Sequence, residues 1–402
     1  MQYRTDPQTG LQLSALGFGC MRFPKGITAQ PDLEKAEALV RAAVESGVNY
    51  FDTAYVYGGS EAVLGKIFAR NPGLREKLHL ATKLPYRQVK KYEDFDRLLH
   101  IQLERLQTDH IDYYLIHNLT TPGDWQGLAK RGAERWIAEK KESGQIRQIG
   151  FSYHGNQGDF AALLEAYPWQ FVQIQYNYSD ENYQAGRAGL QRAAAMGLPV
   201  IIMEPLLGGK LANGLPKEAL RLFGETGPKP AEQALRSPAE WALRWLWDQP
   251  QCTVVLSGMN SMAQLEENVR VAGEATSGCL TEEEHALYPR VVASFREAFK
   301  VPCTGCSYCM PCPKGVNIPG CLGAYNARYA LGYIAGVSQY FTSTNVVDQK
   351  NNSSAHKCVA CGACVQKCPQ HIDIPGQLGK VGRMMEPWPL RMGLKLYGKL
   401  QK

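Results

Sequence analysis

VNYFDTA (48–54), LHLATKL (78–84) and IDYYLIHN (111–118) are short apolar runs rich in aromatic and β-branched residues, each with a polar side chain near its end. Five more have the same form: LSALGFGC (13–20), IRQIGFS (146–152), FVQIQYN (171–177), PVIIMEP (199–205) and TVVLSGMN (253–260). Amphipathic helical patterns separate them. In PDLEKAEALVRAAVESG, for instance, Leu33, Ala36, Leu39, Val40 and Ala43 share one face. Continuous apolar strands of this length suit a parallel sheet covered on both faces. Eight β–α units across about 270 residues match a closed (β/α)8 barrel, an α/β TIM barrel. The alternative, a doubly wound open sheet, would normally show GxGxxG after its first strand. LGFGCMRF does not supply it.

In such a barrel the chemistry sits where strands end and βα loops begin. Asp52 and Tyr57 follow the second strand, Lys83 ends the third and His117 the fourth, so an acid, a phenol, an ammonium and an imidazole are expected on one face. Each alone also has a structural explanation: a helix cap, a packed ring, a satisfied histidine. Their placement on consecutive strand ends points to chemistry. An ammonium beside a phenol stabilises the phenolate and makes the phenol a better acid near neutral pH.

FDTAYVYGGSE, ATKLP and YYLIHN, in this order and spacing, resemble the signature segments of the aldo-keto reductase family over residues 1–275. The opening MQYRTDPQTGLQLSALG resembles the hairpin that closes the bottom of those barrels. The resemblance implies a catalytic tetrad of Asp52, Tyr57, Lys83 and His117, and a carbonyl reduced by NADPH or NADH. It further implies that Ser152 and Gln173 hold the nicotinamide carboxamide, and that Gly19, Met21 and Met203 line the cofactor site. Ser257, Gly258 and Met259, in SGMN ahead of the last helix, would then face a phosphate, and Glu267 and Asn268 the adenine. Three departures leave NADP or NAD preference open: Tyr153 in place of Asn, Met203 in place of an aromatic ring, and no Lys or Arg in GMNSMAQLEEN.

Cysteine placement divides the chain. Of 12 cysteines, Cys20, Cys252 and Cys279 are scattered through the first 300 residues, where they read as small apolar side chains. CVACGACVQKCP provides Cys358, Cys361, Cys364 and Cys368 before Pro369, the C-x2-C-x2-C-x3-C-P run of bacterial ferredoxins. CTGCSYCMPCP provides Cys303, Cys306, Cys309 and Cys312 before Pro313, with a shorter last gap. Zinc also uses C-x2-C pairs but gains nothing from the trailing cysteines and prolines. Two [4Fe-4S] clusters are therefore expected. With the fourth cysteine of each run serving the other cluster, one is held by Cys303, Cys306, Cys309 and Cys368 and the other by Cys358, Cys361, Cys364 and Cys312.

The 320–341 spacer, GCLGAYNARYALGYIAGVSQYF, reads as helix and resembles the α-helical ferredoxin domains of dehydrogenase electron-transfer subunits. IPGCL and IPGQL form an internal repeat that starts a helix after each run, with Cys321 packing in the first. The expected organisation is thus a barrel over 1–298, a ferredoxin-like domain over 299–385 and a basic tail over 386–402. The closing MMEPWPLRMGLKLYGKLQK (384–402) would pack on the barrel or meet a membrane surface. LLGGKLANGLPKEALRLFGETGPKPAEQALRSPAE (206–240) reads as an enlarged loop over the active face.

With 45% hydrophobic and 20% charged residues, the composition is that of a globular protein. No apolar run reaches the length of a membrane span, and the N-terminus lacks a signal-peptide pattern, so a cytoplasmic location is expected. Residues 301–402 hold 11 Lys/Arg and 3 Asp/Glu, a balance of +8, which leaves −2 of the overall +6 for residues 1–300. Two clusters would absorb about half of that local excess, so nucleic acid is not an expected partner. The expected function is carbonyl reduction with an appended electron-transfer module. The alternative is an electron-transfer protein whose clusters serve a redox partner and whose barrel holds another cofactor or none. A structural or sensing role for the clusters also remains open.

Overall fold

A computed structural model of the chain describes residues 1–26, 30–226, 236–347, 351–390 and 392. It divides into two compact units, Met1–Pro205 with Glu240–Leu280, and Leu206–Ala239 with Thr281–Lys402.

The first unit is the barrel. β1 (Tyr3–Thr5) and β2 (Gln12–Ser14) form an antiparallel hairpin. β3 (Leu16–Gly19), β4 (Tyr50–Asp52), β5 (His79–Leu84) and β6 (Ile111–Leu119) follow. β7 (Ile146–Tyr153), β8 (Phe171–Gln175), β9 (Val200–Met203) and β10 (Cys252–Ser257) complete a closed parallel barrel, β10 pairing with β3. All eight apolar runs form barrel strands. The interior is filled by Tyr50, Ala81, Tyr113, Leu115, Phe171, Ile201 and Val254. The Tyr113 ring meets those of Tyr50 and Phe171 at 5.2 and 5.0 Å. Its hydroxyl donates to Asp6 Oδ2 at 2.7 Å, and Arg4 donates to the Gln249 carbonyl, so the hairpin closes the N-terminal end.

Outer helices bury the faces that periodicity marks. Leu33–Glu45 buries Ala36, Leu39, Val40 and Ala43, and Asp32 caps it by accepting from Lys35 N–H. Burying Leu39 or Val40 stabilises by about 1.5–3 kcal/mol each. In β7, a Cβ at Gly150 would lie 2.4 Å from the Phe171 carbonyl oxygen, so the β7–β8 pairing requires glycine there.

The second unit is helical. Lys217–Thr226 packs on Glu282–Ala298, with Phe223 and Tyr288 rings 6.2 Å apart. Gly208, at φ +65°, lies against Thr304 of the first cysteine run, where a Cβ would be 2.0 Å from the carbonyl oxygen. The IPG repeats start Ile318–Ala330 and Ile374–Met385, each with Pro in the first turn and a side-chain cap, from Asn317 and Asp373. The single helix expected over 320–341 is instead two, the second being Tyr333–Thr344. Gly332, at φ +101° and ψ 166°, breaks it. Val301, Val316, Ile318, Cys321, Tyr340, Ile374 and Val381 form the core, so Cys321 packs as a small apolar residue. Most of the basic tail, 391 and 393–402, and residues 227–235 of the Gly/Pro-rich segment lie outside the described residues. Among the described residues no helix is long and apolar enough to cross a membrane.

Candidate active site and iron–sulfur sites

Register brings the predicted residues together. Gly19 pairs with Asp52 across β3–β4, Lys83 with Leu115 across β5–β6, and Ser152 with Gln173 across β7–β8. Lys83 Nζ, fully buried, donates to Asp52 Oδ1 and Oδ2, both at 2.6 Å, and to the Thr53 carbonyl at 2.7 Å. Those acceptors match the three N–H bonds of an ammonium. Burial pulls Lys83 below the usual lysine range, and Asp52 opposes the shift. The ammonium sits 5.1 Å from the centre of the Tyr57 ring. Tyr57 lies in a turn fixed by its N–H to Ala54 and by the Ser60 N–H to its carbonyl. The Tyr57 and His117 rings meet edge to face at 6.0 Å. Burial first, then the charges of Lys83 and His154, hold His117 well below the usual imidazole range, which favours the neutral ring.

Gln173 Nε2 donates to Asp52 Oδ2 at 3.0 Å, which turns its Oε1 into a buried acceptor without a partner among the described residues. Next to it, Ser152 Oγ accepts from Asn118 N–H at 2.7 Å and keeps its own O–H to donate. An acceptor and a donor side by side complement a primary carboxamide, whose NH2 donates and whose oxygen accepts. The pair therefore fits the nicotinamide group.

Gly19 packs against the Ser257 backbone, and a Cβ there would lie 3.3 Å from the Ser257 carbonyl oxygen. Asn268 Nδ2 donates to Ser257 Oγ at 2.7 Å, Met259 is buried and Glu267 is half-buried. Asn260 N–H is already taken by Gln264 Oε1, so the turn before Met262–Glu274 offers fewer amides than its sequence promises. Met21 sits in the one-turn helix Cys20–Arg22, and Met203 packs on the barrel interior.

Three groups of residues escaped the sequence reading. Arg22 lies over Gly258, with Cδ 3.1 Å from where a Cβ would be, which puts an arginine side chain beside the turn that opens GMNSMAQLEEN. Buried Glu61 accepts from Thr82, Gln102 and Arg105, while Gln102 also donates to the Lys83 carbonyl and fixes that strand end. Buried His154 Nδ1 contacts Gln184 Oε1 at 3.1 Å. Gln184 Nε2 reaches Gln175, and Gln175 Nε2 reaches Asp180, giving a polar chain beyond β7 and β8. The only sequence signal was a cluster of polar residues after strands.

In the second unit, one cavity is lined by Cys303, Cys306, Cys309 and Cys368, and another by Cys312, Cys358, Cys361 and Cys364. Burial and the neighbouring Cys306, Cys303 and Cys368 push the Cys309 thiol up to about 12. Burial, and then Cys358, Cys312 and Cys361, raise Cys364. Among the described residues no three His, Cys, Asp or Glu converge tightly enough for a single metal ion. Four thiols spread around a cavity fit a cluster better than one zinc.

The aldo/keto reductase family model matches residues 15–286, and a 4Fe-4S dicluster domain matches 302–372. The chain belongs to the aldo/keto reductase family. This aldo/keto reductase is 29% identical over 307 residues to the uncharacterized oxidoreductase YrpG of Bacillus subtilis, covering 67% of this chain and 90% of that protein. It is 28% identical over 281 residues to 6-dehydroglucose reductase of Novosphingobium aromaticivorans, covering 66% and 88%. The holo form of aldo-keto reductase AKR11C1 from Bacillus halodurans superposes with a TM-score of 0.58 at 27% identity, over 72% of this chain and 96% of that one. The aldo/keto reductase is thus an oxidoreductase with a C-terminal 4Fe-4S domain.

Proposed function

We propose that the barrel reduces an aldehyde or ketone with NADPH or NADH, and that the C-terminal domain carries two [4Fe-4S] clusters on the crossed cysteine sets. The observation that carries the first part is the Asp52–Lys83 pair beside Tyr57 and His117, joined through the Gln173–Asp52 hydrogen bond to an acceptor–donor pair shaped for a carboxamide. Gln173 and Ser152 would hold the nicotinamide, which would supply the hydride for the carbonyl carbon. Tyr57 gives its hydroxyl proton to the carbonyl oxygen. Lys83 favours the phenolate that remains, by charge, since its N–H bonds are engaged. Asp52 holds that ammonium in place and balances it. Neutral His117 donates an N–H to the oxygen as negative charge develops. Arg22 and the turn at Gly258 would hold a phosphate of the cofactor. The name of the Novosphingobium relative and the polar chain from His154 to Asp180 support a hydroxylated carbonyl substrate.

Tyr57→Phe keeps the ring and removes the proton. Carbonyl-dependent NADPH oxidation should fall about 10²- to 10⁴-fold, with the visible spectrum of the clusters unchanged. Turnover within a few-fold of wild type would defeat the assignment.

A further inference from the structure

We propose that the face around Cys361 is a docking surface for an acidic one-electron carrier protein, which delivers electrons to the cluster on Cys312, Cys358, Cys361 and Cys364. The inference deepens the reading above and rests on that cysteine set holding a cluster.

The two cysteine sets differ in exposure. Cys303 is 9% exposed, and Cys306, Cys309 and Cys368 are half-buried. In the other set Cys361 is exposed, and so are Val359, Ala360, Ala363, Val365, Gln366 and Lys367 of its loop. Val359 is 58% and Val365 37% exposed, although valine ordinarily contributes to a core. An electron crosses between proteins most readily where a redox centre comes nearest the surface, which selects the second set as the port.

The two cysteine runs are rich in base and poor in acid. Residues 301–347 and 351–372 contain no Asp or Glu, and exposed Asp373 follows directly, two positions before the cavity-lining Pro375. Lys314, Lys357 and Lys367 in the same stretches are all exposed. Lys314 lines the cavity itself, and Lys357 Nζ lies 3.6 Å from where a Gly315 Cβ would be, which puts the two lysines side by side. A cluster with four thiolates carries about two negative charges, which Lys314 and Lys357 beside the cavity offset, while Lys367 adds positive charge in the exposed loop after Cys364. A small apolar centre inside a charged rim is what a weak redox encounter uses, at a buried area below about 1,200 Å². A second copy of this chain would set lysine against lysine. A membrane would favour larger anchors than the Val and Ala side chains of this loop. An acidic carrier meets both the charge and the size.

The step is a single electron transfer. The carrier, an iron–sulfur or flavin protein, is oxidised by one electron and the cluster is reduced by one. No bond forms or breaks, and no proton moves.

The test mixes anaerobic holoprotein with an acidic flavodoxin in its hydroquinone form, in a stopped-flow instrument. Appearance of the flavin semiquinone and bleaching of the clusters report the same electron. The second-order rate should fall steeply as salt rises. The double reversal Lys357→Glu/Lys367→Glu should slow it about tenfold or more at low salt, the gap closing at high salt. Lys367→Glu alone, which removes no side-chain hydrogen bond found among the described residues, should show the same trend. Photoreduction by a neutral deazaflavin, which needs no docking, should bleach wild type and variants equally. Equal flavodoxin rates in wild type and variants at every salt concentration would overturn the proposal. So would a flavodoxin rate that does not depend on salt. Reversals that abolish binding to anionic phospholipid vesicles while sparing the flavodoxin rate would assign the face to a membrane instead. Iron and sulfide analysis before mixing keeps the two claims apart: a protein without a cluster on the Cys361 set fails the reading above, not the docking argument.

Discussion

Removing either partner of the Asp52–Lys83 pair should cost more than removing both. Both side chains are buried, and the ammonium makes two 2.6 Å bonds to the carboxylate. In Lys83→Met the carboxylate keeps a single neutral donor, Gln173 Nε2. In Asp52→Asn the ammonium keeps neutral acceptors alone. Leaving one buried charge without its partner costs about 3–5 kcal/mol, whereas replacing both by neutral groups of similar volume is often near neutral. For a unit of this size each kcal/mol moves the melting midpoint about 2–4 °C, so each single variant should melt about 6–20 °C lower. The double variant Asp52→Asn/Lys83→Met should melt above either single variant. Carbonyl reduction should stay about 10²-fold down in all three, because none presents a neutralised ammonium to Tyr57. Near-UV circular dichroism of the buried Trp125, Trp136, Trp241 and Trp247 follows the barrel separately from the clusters. Melting losses that simply add, or a double variant that regains turnover, would refute the reasoning.

Three further outcomes follow from particular residues. His117 has its folded-state value well below 6.5, so below pH 6.5 the unfolded chain takes up a proton that the native state refuses. Stability should therefore fall by up to about 1.4 kcal/mol per pH unit as pH drops through that window. Urea midpoints should show a flatter acid limb in His117→Asn. Gln173→Leu removes the buried acceptor at Oε1 and should weaken nicotinamide binding by about 1–3 kcal/mol, roughly 5- to 150-fold, in a fluorescence titration. Cys368→Ser should abolish the electron paramagnetic resonance signal that Cys306→Ser abolishes, and Cys312→Ser the one that Cys361→Ser abolishes. Pairing along the sequence, Cys312 with Cys306, would contradict the crossed sets.

The barrel was readable because parallel strands buried on both faces are continuous apolar runs, from LGFG in β3 to CTVVLS in β10. Asp52, Lys83 and His117 were readable for a related reason, being polar residues at strand ends whose level the register sets. What pattern could not show was polar contact across long separations. Glu61 meets Gln102 and His154 meets Gln184 through side chains alone, 41 and 30 positions apart. Arg22 reached the Gly258 turn by barrel closure, with β3 and β10 adjacent in space although they are the barrel's first and last strands. The break at Gly332 was hidden because Leu331 and Tyr333 continue an apolar pattern, while the backbone there takes a conformation that only glycine adopts cheaply.

The central claim, hydride transfer in the barrel, is tested most directly with NADPH deuterated at the transferable position and an aldehyde substrate, under anaerobic conditions. Deuterium should appear on the product's carbinol carbon, with the clusters remaining unbleached during turnover. A product without deuterium, formed while the clusters cycle between oxidised and reduced states, would contradict it.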